Sequence, residues 1–121
     1  MKGMFFLSAV LFITVAAHAQ TGKKDIHQPD TTKKIMVVET SCGKCQFGLK
    51  GKGCDLAIRI NDKAYYVDGT GIDDHGDAHA DDGFCNAVRK AEVQGKIVKG
   101  RFKATYFKLL SDHDEKEEKK E

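Results

Sequence analysis

The sequence predicts a small, mainly β domain: five strands closed into a barrel, with one short helix between the third and fourth strands. Three observations carry this. Apolar and polar residues alternate at period two over several short runs, as in Leu56-Ala57-Ile58-Arg59-Ile60. Turn pairs, Asn61-Asp62 and Lys99-Gly100, join such runs at hairpin distance. One stretch alone, Phe84, Ala87, Val88 and Ala91, shows the i, i+3, i+4, i+7 stripe of an amphipathic helix.

The first strand is the compact apolar run Ile35-Met36-Val37-Val38. Leu56 to Ile60 forms the second strand, and Lys63-Ala64-Tyr65-Tyr66-Val67 completes a hairpin with it. Asp68-Gly69-Thr70-Gly71 breaks the third strand. The helix follows, with Asp81 or Asp82 placed to cap its N-terminus and suit its dipole. Val93, Gly95 and Ile97 then lead through Lys99-Gly100 into Phe102, Ala104 and Tyr106, a second hairpin continued by Phe107, Leu109 and Leu110. The apolar phase shifts near Tyr106-Phe107, which predicts a bulge. Five strands in this order fit a small OB-like barrel, which removes most exposed edges by closure.

Domain organisation follows from the ends. Residues 1–19 read as a secretory signal peptide: Lys2 in a short n-region, an apolar run from Met4 to Ala17, and a small-x-small site at Ala17-His18-Ala19. The run is shorter than the roughly 20 residues of a membrane span, so no membrane insertion is expected after cleavage. Residues 20–33 read as a flexible leader, mildly basic through Lys23, Lys24 and Lys33 with Lys34 adjoining, and 111–121 as a charged, disordered tail. The OB-like domain occupies 34–110. A domain of that size buries only about 60% of its unfolded surface, so a disulfide or metal staple adds usefully to its stability. The whole chain has 20 basic against 18 acidic residues, a formal net charge of +2.

Four cysteines carry the chemistry. Cys42 and Cys45 form a Cys-x-x-Cys, Cys54 follows a Gly/Lys-rich loop, and Cys85 lies beyond a His/Asp-rich stretch with His75 and His79. Thiolates select soft or borderline metals such as zinc or copper, and imidazole adds to that set. The candidate metal ligands are therefore Cys42, Cys45, Cys85, His79, His75 and Cys54, with His79 preferred over His75 and Cys54 the least securely placed thiol. Asp73, Asp74, Asp77, Asp81 and Asp82 are available to orient the imidazoles. The competing reading is two structural disulfides among the same four cysteines, as expected for a small exported domain, and three pairings are open.

Catalytic thiol–disulfide exchange fits less well. Gly48, Gly51 and Gly53 follow the motif and oppose a helix there, the βαβ context is missing, and the sole proline, Pro29, lies in the leader. No Ser/His/Asp or paired-carboxylate arrangement stands out, so no catalytic residue is assigned and the domain is read as non-enzymatic. Lys44, Phe47, Lys50 and Lys52 make a basic loop beside one aromatic, but export and the balanced charge speak against a nucleic-acid partner.

The span Val38 to Leu110 resembles a family of small secreted bacterial proteins of unknown function. Three segments carry the resemblance: Ser41-Cys42-Gly43-Lys44-Cys45-Gln46-Phe47, Gly51-Lys52-Gly53-Cys54-Asp55-Leu56, and His75-Gly76-Asp77-Ala78-His79-Ala80-Asp81-Asp82-Gly83-Phe84-Cys85. It implies no activity. The closing pattern from Ala91 to Ala104 resembles the last hairpin of exported OB-fold proteins, among them the periplasmic haem chaperones of cytochrome c maturation. That likeness covers the hairpin alone and does not extend to haem binding. The expectation is an exported, periplasmic or secreted, non-enzymatic domain that binds a thiophilic metal such as zinc or copper. The alternative is a disulfide-stapled module that contacts another envelope protein.

Overall fold

The computed structural model describes residues 26–111 together with 114, 116 and 117. The proposed signal segment, the start of the leader and most of the tail lie outside them. Five strands close into a barrel in the order β1-β2-β3-β5-β4: β1 (Met36–Cys42), β2 (Leu56–Ile60), β3 (Lys63–Asp68), β4 (Arg89–Val98) and β5 (Arg101–Leu109). All neighbours are antiparallel except β3 and β5, which run parallel and close the barrel at Val67↔Phe102 and Asp68↔Lys103. This is the connectivity of an OB barrel. Arg101 clamps the closure by a two-pronged contact, its Nε donating to Asp68 Oδ1 at 2.9 Å and Oδ2 at 3.1 Å.

Both hairpin turns form where the sequence places them. Asn61 (φ 48°) and Asp62 (φ 66°) are both left-handed, as are Lys99 (φ 52°) and Gly100 (φ 76°). Two consecutive positive φ values match the right-handed twist of the flanking strands, and Asn, Asp and Gly bear them at least cost. The expected bulge is also present. Gln94 pairs with Tyr106 but Gly95 pairs with Ala104, so Thr105 is the extra residue.

β1 runs four residues beyond its apolar stretch, through Glu39-Thr40-Ser41-Cys42. Polar residues hid this extension from a periodicity reading. Thr40 and Ser41 are nevertheless fully buried, and both hydroxyls are satisfied: Thr40 Oγ1 donates to Ala57 O at 2.9 Å, while Ser41 Oγ lies 2.6 Å from Phe84 O and 2.7 Å from Ala87 O. The core around them includes Ile58, Val93, Phe84, Phe102 and Phe107. Burial of each such side chain contributes about 1.5–3 kcal/mol.

The helix expected between β3 and β4 over Phe84–Ala91 is corrected. That segment is a chain of tight turns, and Ala91 already belongs to β4. Only one i−4 bond forms, from Ala87 N–H to Gly83 O. The carbonyls of Phe84 and Ala87, which a helix needs for itself, bond instead to β1 through Cys42 N–H and Ser41 Oγ. Tertiary hydrogen bonding thus overrides the apolar spacing. Helical turns lie elsewhere: a four-residue α1 (Gly43–Gln46) between β1 and β2, and a 3-10 turn (Ile72–His75) between β3 and β4.

The described part of the leader, 26–33, bonds to the barrel. Phe107 N–H donates to Ile26 O at 3.0 Å. The buried Gln94 amide accepts from Asp30 N–H at 2.8 Å and donates to Asp30 O and Lys33 O, both at 2.9 Å. Residues alternate faces along a strand, so Gln94 and Tyr106 point away from the face that carries Val93 and Phe107. All four are buried. The leader segment held by Gln94 explains the burial of the second face.

Candidate metal centre

The register β1–β2 pairs Cys42, the last residue of β1, with Leu56, the first of β2. Thirteen residues therefore loop out from and return to one end of the barrel, and the loop holds Cys45 and Cys54. Cys42 caps α1, and its sulfur accepts from Cys45 N–H at 3.4 Å. Phe47 and Leu49 N–H both return to Gly43 O, at 3.2 and 2.9 Å, and Gly43 N–H donates to Asp55 O at 2.9 Å. The glycines that argued against a helix follow this single turn; Gly48 ends it with φ 67°.

Gly43 is needed for a second reason. A Cβ there would lie 2.5 Å from Tyr66 Cε1. Tyr66 packs on the loop from β3, and its hydroxyl donates to Lys50 O at 2.9 Å. The aromatic ring thus sets the height of the cysteine loop over the barrel.

Cys85 arrives from the turns after β3. Cys42 N–H donates to Phe84 O at 3.0 Å, and Cys85 N–H donates to Ala78 O at 2.9 Å. From the other side, Gln46 Nε2 donates to Cys85 O at 2.8 Å. Gly83 makes the turn possible, since a Cβ there would collide with the carbonyl oxygens of Asp77 and Ala78. These bonds place Cys85 beside the Cys-x-x-Cys without a helix.

The sulfurs of Cys42, Cys45, Cys54 and Cys85 all lie within 4.8 Å of one another. All four are free thiols, and Cys54 Sγ and Cys85 Sγ are 3.5 Å apart, well beyond the roughly 2.05 Å of a disulfide bond. Zinc with four thiolates at about 2.3 Å needs sulfurs about 3.8 Å apart. The sulfur separations, from 3.5 Å for Cys54–Cys85 up to 4.8 Å at most, bracket that edge, so adjustments of about 1 Å or less complete the tetrahedron. Burial is graded across it: Cys42 is fully buried, Cys85 half-buried, Cys45 and Cys54 exposed.

The charges the four thiols can carry differ accordingly. Burial pushes the Cys42 thiol up, but hydrogen bonds from the Cys45 amide, the Cys45 and Cys54 thiols and the Lys44 amide outweigh it and hold the group below the usual thiol value. Cys45 is raised, first by its hydrogen bond to Cys42, then by burial and by the Cys42 charge. Burial, the hydrogen bond to Cys54 and the neighbouring thiolates push Cys85 up to about 12. Four sulfurs this close cannot all be anionic without a cation among them.

Neither histidine belongs to the four-sulfur group. His79 is exposed, with its backbone N–H on Asp77 Oδ1 at 2.9 Å and its ring Nδ1 3.9 Å from the same atom. His75 is half-buried. Its ring lies 4.7 Å from the Phe107 ring and 6.1 Å from that of Phe84, and its Nε2 is 2.9 Å from Thr70 Oγ1. The turns that bring Cys85 inward leave His79 on Asp77 and solvent, and they wedge His75 against the core. Cys54, the least securely placed thiol on sequence grounds, is a full member. The residues that position the cluster, Ser41, Gly43, Gln46, Tyr66 and Phe84, were not identified from sequence. The one available signal was Ser41, a small hydroxyl adjoining the first cysteine at a strand end.

Residues 36–110, more than half of the chain, match a family of unknown function (DUF6370), and the chain belongs to that family. No curated protein and no solved structure matches. No helix among the described residues is long and apolar enough to cross a membrane.

Proposed function

We propose that this member of the family is an exported, non-enzymatic domain that binds one thiophilic metal ion, zinc or copper(I), through Cys42, Cys45, Cys54 and Cys85. The observation that carries this is the convergence of four sulfurs from three separate chain segments within 4.8 Å. Tetrahedral thiolate sites select zinc, and soft thiolates also favour copper(I). The Cys45 backbone N–H already donates to the innermost sulfur, a contact that would also orient a metal-bound thiolate.

The electrostatics support binding over redox catalysis. A catalytic thiol must be both activated and accessible. Here the activated thiol is Cys42, which solvent does not reach, while the exposed Cys45 is raised instead. The signal segment of residues 1–19 supports export to the periplasm or beyond, and the intact mass of the exported chain tests cleavage after Ala19.

A second reading has its own observation. Cys54 Sγ and Cys85 Sγ stand 3.5 Å apart and all four sulfurs lie within 4.8 Å of one another, so oxidation could join them in two bridges. The domain would then be a stapled module that contacts another envelope protein. One measurement separates the two. Metal content of the purified protein, with native mass, gives one bound ion and four thiols on the first reading. It gives no metal and a mass about 4 Da lower, from four lost hydrogens, on the second.

A further inference from the structure

Resting on the metal-binding reading, we infer that the centre is an exchange site that passes its ion to an incoming soft-donor ligand, and that Cys54 is the ligand released first. A purely structural zinc site is closed by the fold around it. This one is closed on one side only. Cys42 is buried and its N–H is fixed to Phe84 O. Cys85 is held at both backbone groups, by Ala78 O and by Gln46 Nε2. Cys45 is tied through its N–H to the Cys42 sulfur. Cys54 ends a run, residues 51–54, that is exposed throughout and contains two glycines, and the first fixed atom after it is Asp55 O.

Three sulfurs therefore form a cradle anchored to the barrel, and the fourth closes it from the solvent side. Exchange proceeds by ligand substitution. The incoming thiolate or nitrogen donor gives a lone pair to the metal. The metal–Cys54 bond then breaks, with both electrons remaining on the Cys54 sulfur, which takes a proton from solvent. No electron changes hands, and no oxidant or reductant is required. Exposed Lys44, Lys50 and Lys52 lie along the same loop and favour the approach of an anionic ligand.

The test uses the chain loaded with zinc under a reductant and mixed with excess 4-(2-pyridylazo)resorcinol, with transfer followed by absorbance. The rate is expected to rise in proportion to chelator concentration. A rate independent of chelator, and equal to the unfolding rate, would show a sealed structural site and overturn the inference while leaving metal binding intact. Two variants locate the exchanging ligand. Cys54→Ser should keep one zinc with about tenfold weaker affinity and give it up faster, whereas Cys42→Ser should weaken binding by about 100-fold or more. If Cys54→Ser costs as much affinity as Cys42→Ser, Cys54 is not the outer ligand and the inference fails. A wild-type chain that takes up no zinc or copper(I) under reductant overturns the metal reading itself, and this inference with it.

Discussion

The backbone N–H of Cys42 donates to the carbonyl oxygen of Phe84 at 3.0 Å, across a separation of 42 residues. This bond joins the end of β1 to the turns before β4 and sets Cys85 next to the Cys-x-x-Cys. Ser41 reinforces it, its buried hydroxyl lying between Phe84 O and Ala87 O. A hydroxyl has one proton, so it donates to one carbonyl at a time.

Ser41→Ala should therefore act on both stability and metal affinity. Removing the donor leaves a buried carbonyl under-satisfied, at a cost of about 1–3 kcal/mol. Urea unfolding of the metal-free protein measures that part. Zinc competition measures the second, because a looser Phe84 moves Cys85. Unchanged zinc affinity would show that Cys85 is positioned without Ser41.

Gly43→Ala tests the contact between the cysteine loop and β3. The new methyl would meet Tyr66 Cε1 at 2.5 Å and both Ala57 Cβ and Leu49 Cδ1 at 3.1 Å. Overpacking of this kind costs about 1–3 kcal/mol. The same change made with Tyr66→Ala should cost less, since the nearest obstacle is gone, and a double-mutant cycle reads the difference.

Metal removal should lower the melting temperature. Zinc present at 1,000 times its dissociation constant adds about 4.1 kcal/mol to a folded state that alone binds it, on the order of 20 °C for a domain of this size. A scan with and without chelator, under a reductant, checks this. Equal melting temperatures would mean that the four sulfurs hold no ion.

His75 gives the metal-free domain a pH dependence. Burial between Phe84 and Phe107 lowers its pKa below 6.5, against a smaller upward push from Asp74 and with a further lowering from His27. A base with a depressed folded pKa binds more protons when unfolded. Its contribution is fully present above 6.5 and is lost as pH falls from 6.5 through the folded value. Denaturation midpoints over that window, taken with chelator and reductant present, should fall with pH in the wild type and flatten in His75→Leu. The same slope in both proteins would assign the effect to another group.

Gln94→Ala should release the leader. It removes one acceptor and two donor contacts that hold Asp30 and Lys33. The Asp30 amide is expected to lose its protection from hydrogen exchange, while amides of the β1–β2 pairing keep theirs. Retained protection at Asp30 would place the leader's anchor elsewhere, at Ile26 O on Phe107.

The sequence by itself determined the barrel. Period-two alternation in β2, the two left-handed turn pairs and the glycine-bearing β4–β5 hairpin are local signals, and each survives because closure buries one face of every strand. It also determined which residue type carries the chemistry, since four cysteines in so small a domain have few fates. Only the tertiary structure decided which partners they have. The stripe at Phe84–Ala91 became turns because β1 claimed the carbonyls a helix would use. The polar run Glu39-Thr40-Ser41 became strand because Ala57 O and Phe84 O, far along the chain, satisfy its buried hydroxyls. Cys54 joined the cluster, and the histidines were left out of it, because strand register returns residue 55 to Gly43 while the turns after Asp77 direct His79 to solvent. Local spacing carries no record of hydrogen bonds made between residues 17 and 43 positions apart, and those bonds built the site.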